Sequence, residues 1–167
     1  MRVRQTVEFR IGLGTDLHRL EPDRPLRLGG VVIPSDLGAI GHSDADALLH
    51  AVTDAVLGAA SLGDIGTLFP DSAPENRDRD SGEMLRTAWQ LVREAGWELV
   101  NLDCVIHLQR PKLANHRTAI QQAVGTILGV PPDRIGVKAK TGEGLDAVGT
   151  RRAVAVQCVA LLQRPAS

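Results

Sequence analysis

One aspartate and two histidines carry the clearest chemical signal in this sequence. Asp16 and His18 lie two residues apart in a stretch whose alternating apolar residues predict a strand, so both side chains point to the same face. His50 lies in a segment with helical spacing of apolar residues. Two imidazoles and one carboxylate leave one coordination position open, which is typical of a catalytic zinc site. We therefore predict a divalent-metal site that favours zinc, although cobalt or iron could fit the same donors.

A second candidate site lies where the helix of His50 begins. His42 and Ser43 precede the helix, where free amide groups and the helix dipole favour an anion, so this pair predicts a phosphate cradle. An ordinary N-cap at Ser43 is a compatible alternative. A polar ridge along the helix is expected from four residues spaced by four: His42, Asp46, His50 and Asp54. A phosphate cradle beside a metal predicts an enzyme that acts on a phosphorylated metabolite.

Four further segments carry groups that could contact a ligand. Segments 63–66 and 69–71 each place an aspartate beside glycine or proline, although each alone is explained as an ordinary aspartate turn. Segment 110–112 (RPK) is a rigid basic turn that suits a phosphate or a nucleobase, or is simply exposed. Segment 138–143 (KAKTGE) ends a predicted strand and offers cations, a hydroxyl and a hard carboxylate oxygen, the groups that handle a metal-bound diphosphate.

Composition argues against several classes of partner. The chain has 167 residues and a formal net charge of -1, with two tryptophans, two phenylalanines and no tyrosine, so we expect no nucleic acid partner. No apolar run is long enough for a membrane helix, and residues 1–9 lack the apolar region of a signal peptide. Cys104 and Cys158 lie in apolar runs and are expected to be core residues without a disulfide, which favours a cytoplasmic protein.

The coarse pattern of elements predicts an α+β fold. We expect a two-layer sandwich with a mixed or antiparallel four-stranded sheet plus a β-hairpin, and helices on one face. Residues 1–9 are expected to be an N-terminal extension and 10–167 a single domain. In the first strand, Gly12 and Gly14 would let a backbone or ligand approach closely, and Gly29-Gly30 is expected to form a bulge. The predicted elements are strands 9–20, 26–33, 97–109, 135–140 and 153–162, and helices 43–60 and 81–95, capped by Ser43 and Ser81, and 115–128.

Six segments in this order resemble the 2-C-methyl-D-erythritol 2,4-cyclodiphosphate synthase family of the non-mevalonate isoprenoid pathway. They are 10–20 (RIGLGTDLHRL), 28–34 (LGGVVIP), 41–71 (GHSDADALLHAVTDAVLGAASLGDIGTLFPD), 80–85 (DSGEML), 109–113 (QRPKL) and 140–145 (KTGEGL). The resemblance implies a homotrimer with active sites between neighbouring subunits, and zinc together with magnesium or manganese. It implies that the 2-phosphate of 4-diphosphocytidyl-2-C-methyl-D-erythritol 2-phosphate attacks the β-phosphorus, releasing CMP and forming 2-C-methyl-D-erythritol 2,4-cyclodiphosphate.

The resemblance also implies a role for individual residues. Asp16, His18 and His50 would hold zinc, and Glu143 would hold the second metal. His42 and Thr141 would stabilise the transition state. Cytidine would be bound by residues of the neighbouring chain, Lys112 and Thr141 being contributed from there. The substrate would contact Asp16, His18, His42, Ser43, Asp64, Ile65, Gly66, Phe69, Pro70, Asp71, Ser72, Ala73, Leu108, Gln109, Arg110, Pro111, Lys112, Leu113, Ala114, Lys140, Thr141, Gly142 and Glu143.

Two segments depart from the family pattern. Where the family has KATTTE, this chain has lysine at 140 and glycine at 142, so Lys140 would meet a phosphate as a charge. Where the family has FTGRGEG, residues 147–153 read AVGTRRA, and the sequence leaves open whether Thr150, Arg151 or Arg152 replaces the usual arginine.

Two other functions stay open at this point. One is a metal-dependent phosphodiesterase, with a water at the open metal position and Asp64 or Asp71 as general base. The other is a trimeric ligand-binding protein without catalysis, which the altered 147–152 segment would explain.

Overall fold

The computed structural model describes residues 6–70, 72–76 and 78–166. Asp71 therefore lies outside the described residues, as do residues 1–5 of the expected N-terminal extension. Within the described ranges, the elements in chain order are β1 (Val7–Pro22), β2 (Leu26–Leu28), β3 (Val31–Ile33), β4 (Leu37–Ile40), α1 (Ala47–Ala60), α2 (Ile65–Leu68), α3 (Ser81–Glu94), β5 (Glu98–His107), α4 (Arg117–Leu128), β6 (Ile135–Lys140), α5 (Asp146–Gly149) and β7 (Ala153–Pro165).

A five-stranded mixed sheet and a separate two-stranded hairpin make up the β layer. The sheet order is β4-β1-β7-β5-β6, with β5 and β6 parallel and the other neighbours antiparallel. The expected hairpin is confirmed as β2 and β3, but the prediction of four strands is wrong by one. The additional strand, β4, is only four residues long and pairs with the end of β1. So short a segment, with glycine at its second position, has no alternation that a sequence pattern could reveal.

Helices cover one face of the sheet, and α1 packs on β1 and β7. The two glycines of β1 make this approach possible. A Cβ on Gly12 would lie 2.1 Å from the carbonyl oxygen of Ala55, and one on Gly14 would lie 1.9 Å from that of Ala51. Helix and strand backbones are therefore in direct contact, as the glycines predicted, and this contact sets the distance between the histidine of α1 and the polar residues of β1.

Asp46, rather than Ser43, is the N-cap of α1. Its carboxylate accepts hydrogen bonds from the amide of Leu49 at 3.1 Å and from the amides of Gly29 and Gly30 at 2.8 and 2.6 Å. Gly29 and Gly30 form the turn between β2 and β3, with positive φ angles of 66° and 80°, so the expected bulge is wrong. Asp46 is fully buried, and burial raises its pKa. The predicted polar ridge is therefore also wrong, because Asp46 points into the hairpin and His42 precedes the helix.

The remaining differences lie at helix ends and between the first two predicted helices, where the sequence predicted no element. Asp80 caps α3, and the helix begins at Ser81, which is fully buried. Between 61 and 80 the chain forms α2 and a 3-10 turn, Pro74–Asn76. Cys104 and Cys158 face each other across β5 and β7 as buried free thiols, which confirms their placement in the core. In the described part of the chain, no helix is long and apolar enough to cross a membrane.

The sheet face that the helices leave uncovered is apolar along β1. Phe9, Ile11, Leu13 and Leu17 alternate with the residues under α1 and are 55, 74, 65 and 64% exposed. Val159 on the neighbouring strand β7 pairs with Leu13 and is also exposed. We call these five residues the β1 apolar stripe. Contiguous apolar surface of this kind marks a contact surface rather than a solvated one.

Candidate functional site

Asp16, His18 and His50 converge on one point between β1 and α1. Oδ2 of Asp16 lies 3.0 Å from Nε2 of His18 and 3.1 Å from Nδ1 of His50, and the two ring nitrogens are 3.1 Å apart. Two ligands at neighbouring vertices of a tetrahedral zinc site are separated by about 3.3 Å, given bonds of about 2.0 to 2.1 Å. One ligand atom from each residue is within reach of a common ion, so the three residues can hold a metal.

Hydrogen bonds on the far side of each imidazole orient the nitrogens. Nδ1 of His18 donates to the carbonyl oxygen of Ile40 at 3.0 Å, which leaves Nε2 free to face Asp16. Nε2 of His50 lies 2.9 Å from the hydroxyl oxygens of both Ser43 and Ser81, which leaves Nδ1 free in the same way. Metal-ligating histidines are usually held by such a bond from the nitrogen that does not bind the metal.

The charge state of Asp16 also suits a metal. Burial by itself would raise the pKa of Asp16, but its interactions with the adjacent His18 and His50 rings outweigh burial and hold that pKa well below its usual range. Burial would lower the pKa of His18, but the neighbouring Asp16 carboxylate raises it above its usual value, so a proton competes with a metal for this ring. Asp16 is therefore an anion held between two imidazoles, and a carboxylate must be ionised to bind a metal.

A cavity of about 320 Å³, which we call the metal cavity, opens on these three residues. The structure brings five other sequence-predicted residues to its lining. They are His42, Ser43, Ile65, Gly66 and Phe69. Asn76 and Met84 also line it, and the sequence reasoning missed both. A larger cavity of about 770 Å³ shares His42 and Ser43 with it and includes Ala73 in its lining.

Asp54 is a further residue that the sequence reasoning did not assign to the site. It follows His50 by one helical turn, and its Oδ1 accepts a hydrogen bond of 2.7 Å from the amide of Ile65. This bond fixes the start of α2 over the cavity. Burial raises the pKa of Asp54. The spacing of four residues from His50 could have indicated Asp54 as a site residue. The sequence gives no sign of its partner, a backbone amide eleven residues away.

Asp64 and Pro70 play structural parts in the described chain. Asp64 caps α2 by accepting from the amide of Thr67 at 2.7 Å, and it lies outside the described lining of the metal cavity. The carbonyl oxygen of Pro70 accepts from the side-chain amide of Asn76 at 2.9 Å. Ser72 is exposed beside this turn.

Most of the remaining predicted residues line a separate cavity of about 240 Å³ where β5 and β6 end. Its lining is Leu108, Pro111, Lys112, Leu113, Ala114, Arg117, Ala139, Lys140 and Thr141. Gln109 accepts from the amide of Gly142 at 3.1 Å, and the hydroxyl of Thr141 donates to Glu143, so both neighbours are held at the rim. Arg110 lies next to this lining in sequence. Arg117, the first residue of α4, was not predicted.

Strand β7 lies between β1, which carries two of the three candidate metal ligands, and β5, at whose end the second cavity begins. β6 is three strands from β1, which is about 14 Å at the usual spacing between strands. Among the described residues, no side chain lines both cavities. Of the altered segment, Arg151 pairs with Asp36 and Arg152 donates to the hydroxyl of Thr150, so all three residues lie outside both described linings.

Comparison with known proteins places these features in one family. The model of the YgbB family matches residues 9–163. The chain is 54% identical to a 2-C-methyl-D-erythritol 2,4-cyclodiphosphate synthase of Rhodopirellula baltica, over 96% of each chain.

Solved structures give the same result. A 2C-methyl-D-erythritol-2,4-cyclodiphosphate synthase with CDP bound superposes with a TM-score of 0.85 at 48% identity, covering 92% of this chain and 99% of that one. The bifunctional IspDF of Campylobacter jejuni superposes with a TM-score of 0.92 at 41% identity, and this chain spans 43% of that longer chain.

Proposed function

The chain belongs to the YgbB family, and from this premise we propose that it is a 2-C-methyl-D-erythritol 2,4-cyclodiphosphate synthase of the non-mevalonate pathway. In the proposed reaction the 2-phosphate of 4-diphosphocytidyl-2-C-methyl-D-erythritol 2-phosphate attacks the β-phosphorus. The bond from that phosphorus to the oxygen bridging it to the α-phosphate breaks, and CMP leaves. The enzyme is in this sense a phosphorus–oxygen lyase, and the nucleophile belongs to the substrate.

The observation that carries the proposal is the convergence of Asp16, His18 and His50 at the floor of a cavity rimmed by His42 and Ser43. Two phosphate groups repel each other strongly, so a catalyst that joins them must offset negative charge at both. A zinc ion bound by the three donors would supply positive charge and a fixed point for one phosphate. The protein itself supplies position, because holding the attacking oxygen in line lowers the entropic cost of the step.

We assign the other residues from the family resemblance and their places in the two cavities. His42 stabilises charge in the transition state at the metal cavity, and Ser43 donates to the methylerythritol phosphate. Thr141 stabilises the diphosphate from the second cavity, and Glu143 holds magnesium or manganese there. Lys140 meets a phosphate as a cation, because its side chain lines the same cavity as Thr141.

The separation of the two cavities supports a homotrimer with active sites between subunits. Within one chain, strands β7 and β5 lie between the metal donors and Thr141, so adjacent phosphate groups that contact both would draw them from two chains. The β1 apolar stripe supplies a surface for such an assembly. Its members are between 43 and 74% exposed in the isolated chain, and burying them against neighbouring copies would remove this apolar area from water.

The two alternative functions have less support. A phosphodiesterase would need Asp64 or Asp71 as general base, and the described Asp64 carboxylate is engaged in capping α2. A ligand-binding protein without catalysis was suggested by the altered segment 147–152, but its residues Thr150, Arg151 and Arg152 lie outside both described cavity linings.

Incubation with the cytidyl substrate, zinc and magnesium tests the proposal, with the products followed by phosphorus NMR. We expect CMP and a cyclic diphosphate in equal amounts. A linear bisphosphate together with CMP would instead establish the phosphodiesterase. Metal binding without any phosphorus-containing product would establish the ligand-binding protein.

A further inference from the structure

The imidazole of His50 has two serine hydroxyls at the same distance from its outer nitrogen. Nε2 lies 2.9 Å from Oγ of Ser43 and 2.9 Å from Oγ of Ser81. When Nδ1 is the metal-facing nitrogen, Nε2 carries a single proton and is a donor. One N–H bond has one favoured direction, so the two serines need not be equivalent partners.

The hydroxyl proton of Ser81 is already engaged. Ser81 is fully buried, and its hydroxyl donates to Oδ1 of Asp44. The same carboxylate accepts from the amide of Ser81 at 3.4 Å and from the amide of Asp46 at 3.3 Å, so it has a fixed orientation. Because Ser81 donates to Asp44, its lone pairs are left to accept the Nε2 proton of His50.

Ser43 is placed differently. It is partly exposed and lines the metal cavity. Its oxygen accepts from the amide of Ala45 at 3.2 Å and lies 3.5 Å from the hydroxyl of Ser81. No carboxylate fixes its proton among the hydrogen bonds of the described residues, so this hydroxyl is free to turn toward a ligand in the cavity.

We propose that Ser81 and Asp44 are positioning residues that set the ring of His50 for metal binding, while Ser43 does not take part in this task. The inference rests on the metal-dependent function proposed above. The chain of contacts runs from the Asp44 carboxylate through the Ser81 hydroxyl to Nε2 of His50. It holds Nε2 as the protonated nitrogen and makes Nδ1 the better electron-pair donor.

This arrangement gives α3 a role in the metal site, although the helix contributes no metal ligand. Ser81 is the first residue of α3, and the N-cap at Asp80 fixes where that helix begins. Outer partners of ligating histidines change metal affinity by about 10- to 100-fold when they are replaced. A carboxylate behind the hydroxyl strengthens the bond further, because donation to the carboxylate polarises the hydroxyl oxygen and makes it a better acceptor.

Zinc affinity of Ser81→Ala, compared with Ser43→Ala, tests the proposal. Both variants remove one hydroxyl at 2.9 Å from the same nitrogen, so they are a matched pair. Competition against a chromophoric chelator gives the zinc dissociation constant. We expect Ser81→Ala to raise it by about 10-fold or more and Ser43→Ala to change it by less than about 3-fold.

The Nε2 proton of His50 gives a second readout, observed by NMR of the zinc-loaded protein. In the wild type and in Ser43→Ala we expect a downfield resonance that exchanges slowly with water, and in Ser81→Ala an upfield, rapidly exchanging one. Asp44→Asn, which keeps an acceptor but removes the charge, should give an intermediate zinc affinity, and it replaces Ser81→Ala if that variant does not fold.

Two outcomes would overturn the proposal. One is equal zinc affinity in Ser81→Ala, Asp44→Asn and the wild type, and the other is a larger loss in Ser43→Ala than in Ser81→Ala. In either case, stoichiometric zinc and CMP release by the wild type would leave the proposed function standing. A wild type that binds no zinc would refute the metal site and this inference together.

Discussion

Replacement of Asp46 by alanine tests how the β2–β3 hairpin is held on the helix layer. The carboxylate accepts three backbone N–H groups, at 3.1 Å from Leu49, 2.8 Å from Gly29 and 2.6 Å from Gly30. The bond to Leu49 is the N-cap of α1, and the other two join the hairpin turn to the start of that helix. Alanine would leave all three donors without this acceptor.

The magnitude follows from these contacts. Loss of an N-cap costs about 1 kcal/mol. Each hairpin amide loses a hydrogen bond to a charged group, worth about 1.5 to 3 kcal/mol. Burial raises the pKa of Asp46, which reflects a desolvation cost that its removal would relieve. We therefore expect Asp46→Ala to lower the free energy of unfolding by about 3 to 4 kcal/mol.

Asp80→Ala is the matched control. Asp80 caps α3 through a single bond of 2.9 Å to the amide of Glu83, and its side chain is exposed. We expect it to cost about 1 kcal/mol. Urea unfolding followed by circular dichroism, at equal protein concentration, gives both values. Amide exchange at Gly29 and Gly30 should accelerate in Asp46→Ala only. If the unfolding free energies of the two variants differ by less than about 0.5 kcal/mol and amide exchange at the hairpin turn is unchanged, Asp46 does not hold the hairpin on α1.

Three further predictions concern the site. His50→Ala should give a folded protein with little zinc, and stoichiometric zinc in the purified variant would contradict its role as a ligand. Glu143→Gln should weaken the dependence of activity on magnesium or manganese while zinc content stays unchanged, and an identical metal titration would count against a second metal there. Gly14→Ala should disrupt both folding and zinc binding, because its Cβ would lie 1.9 Å from the backbone oxygen of Ala51 in α1. Gly58→Ala in α1 is the control, because its Cβ would meet no atom within 4 Å, and it should be neutral or stabilising. Equal urea midpoints for the two glycine variants would show that the helix can move off the strand.

The convergence of the three candidate metal donors could be predicted because their signal is local. Asp16 and His18 obey the two-residue period of a strand, and His50 lies on a helix with clear periodicity. Gly12 and Gly14 predicted that a backbone or ligand approaches β1 closely, and the structure shows that α1 does so. Most of the fold follows from such periods, which is why the long strands β1, β5 and β7 were found close to their observed bounds.

What the sequence could not supply was the partner of each polar group. Asp46 and Asp54 lie on one predicted ridge, yet one is buried against a hairpin turn and the other holds the start of α2. Ser43 and Ser81 were both predicted to be helix N-caps, but the N-caps are Asp46 and Asp80. Choosing among adjacent serines and aspartates requires the three-dimensional position of amides from distant segments. Asn76 and Arg117 reach their cavities through the same kind of long-range placement.

The three candidate metal donors come from two layers of the fold, and this has a thermodynamic consequence. Asp16 and His18 belong to the sheet, and His50 belongs to the helix packed on it. An ion held by all three would act as a cross-link between the layers and would bind only where both are in place. A ligand of this kind stabilises the folded state by about 2.7 kcal/mol at a concentration 100 times its dissociation constant. The unfolding temperature would then report metal occupancy, so a chelator titration followed by thermal melting could rank variants of this site without any substrate.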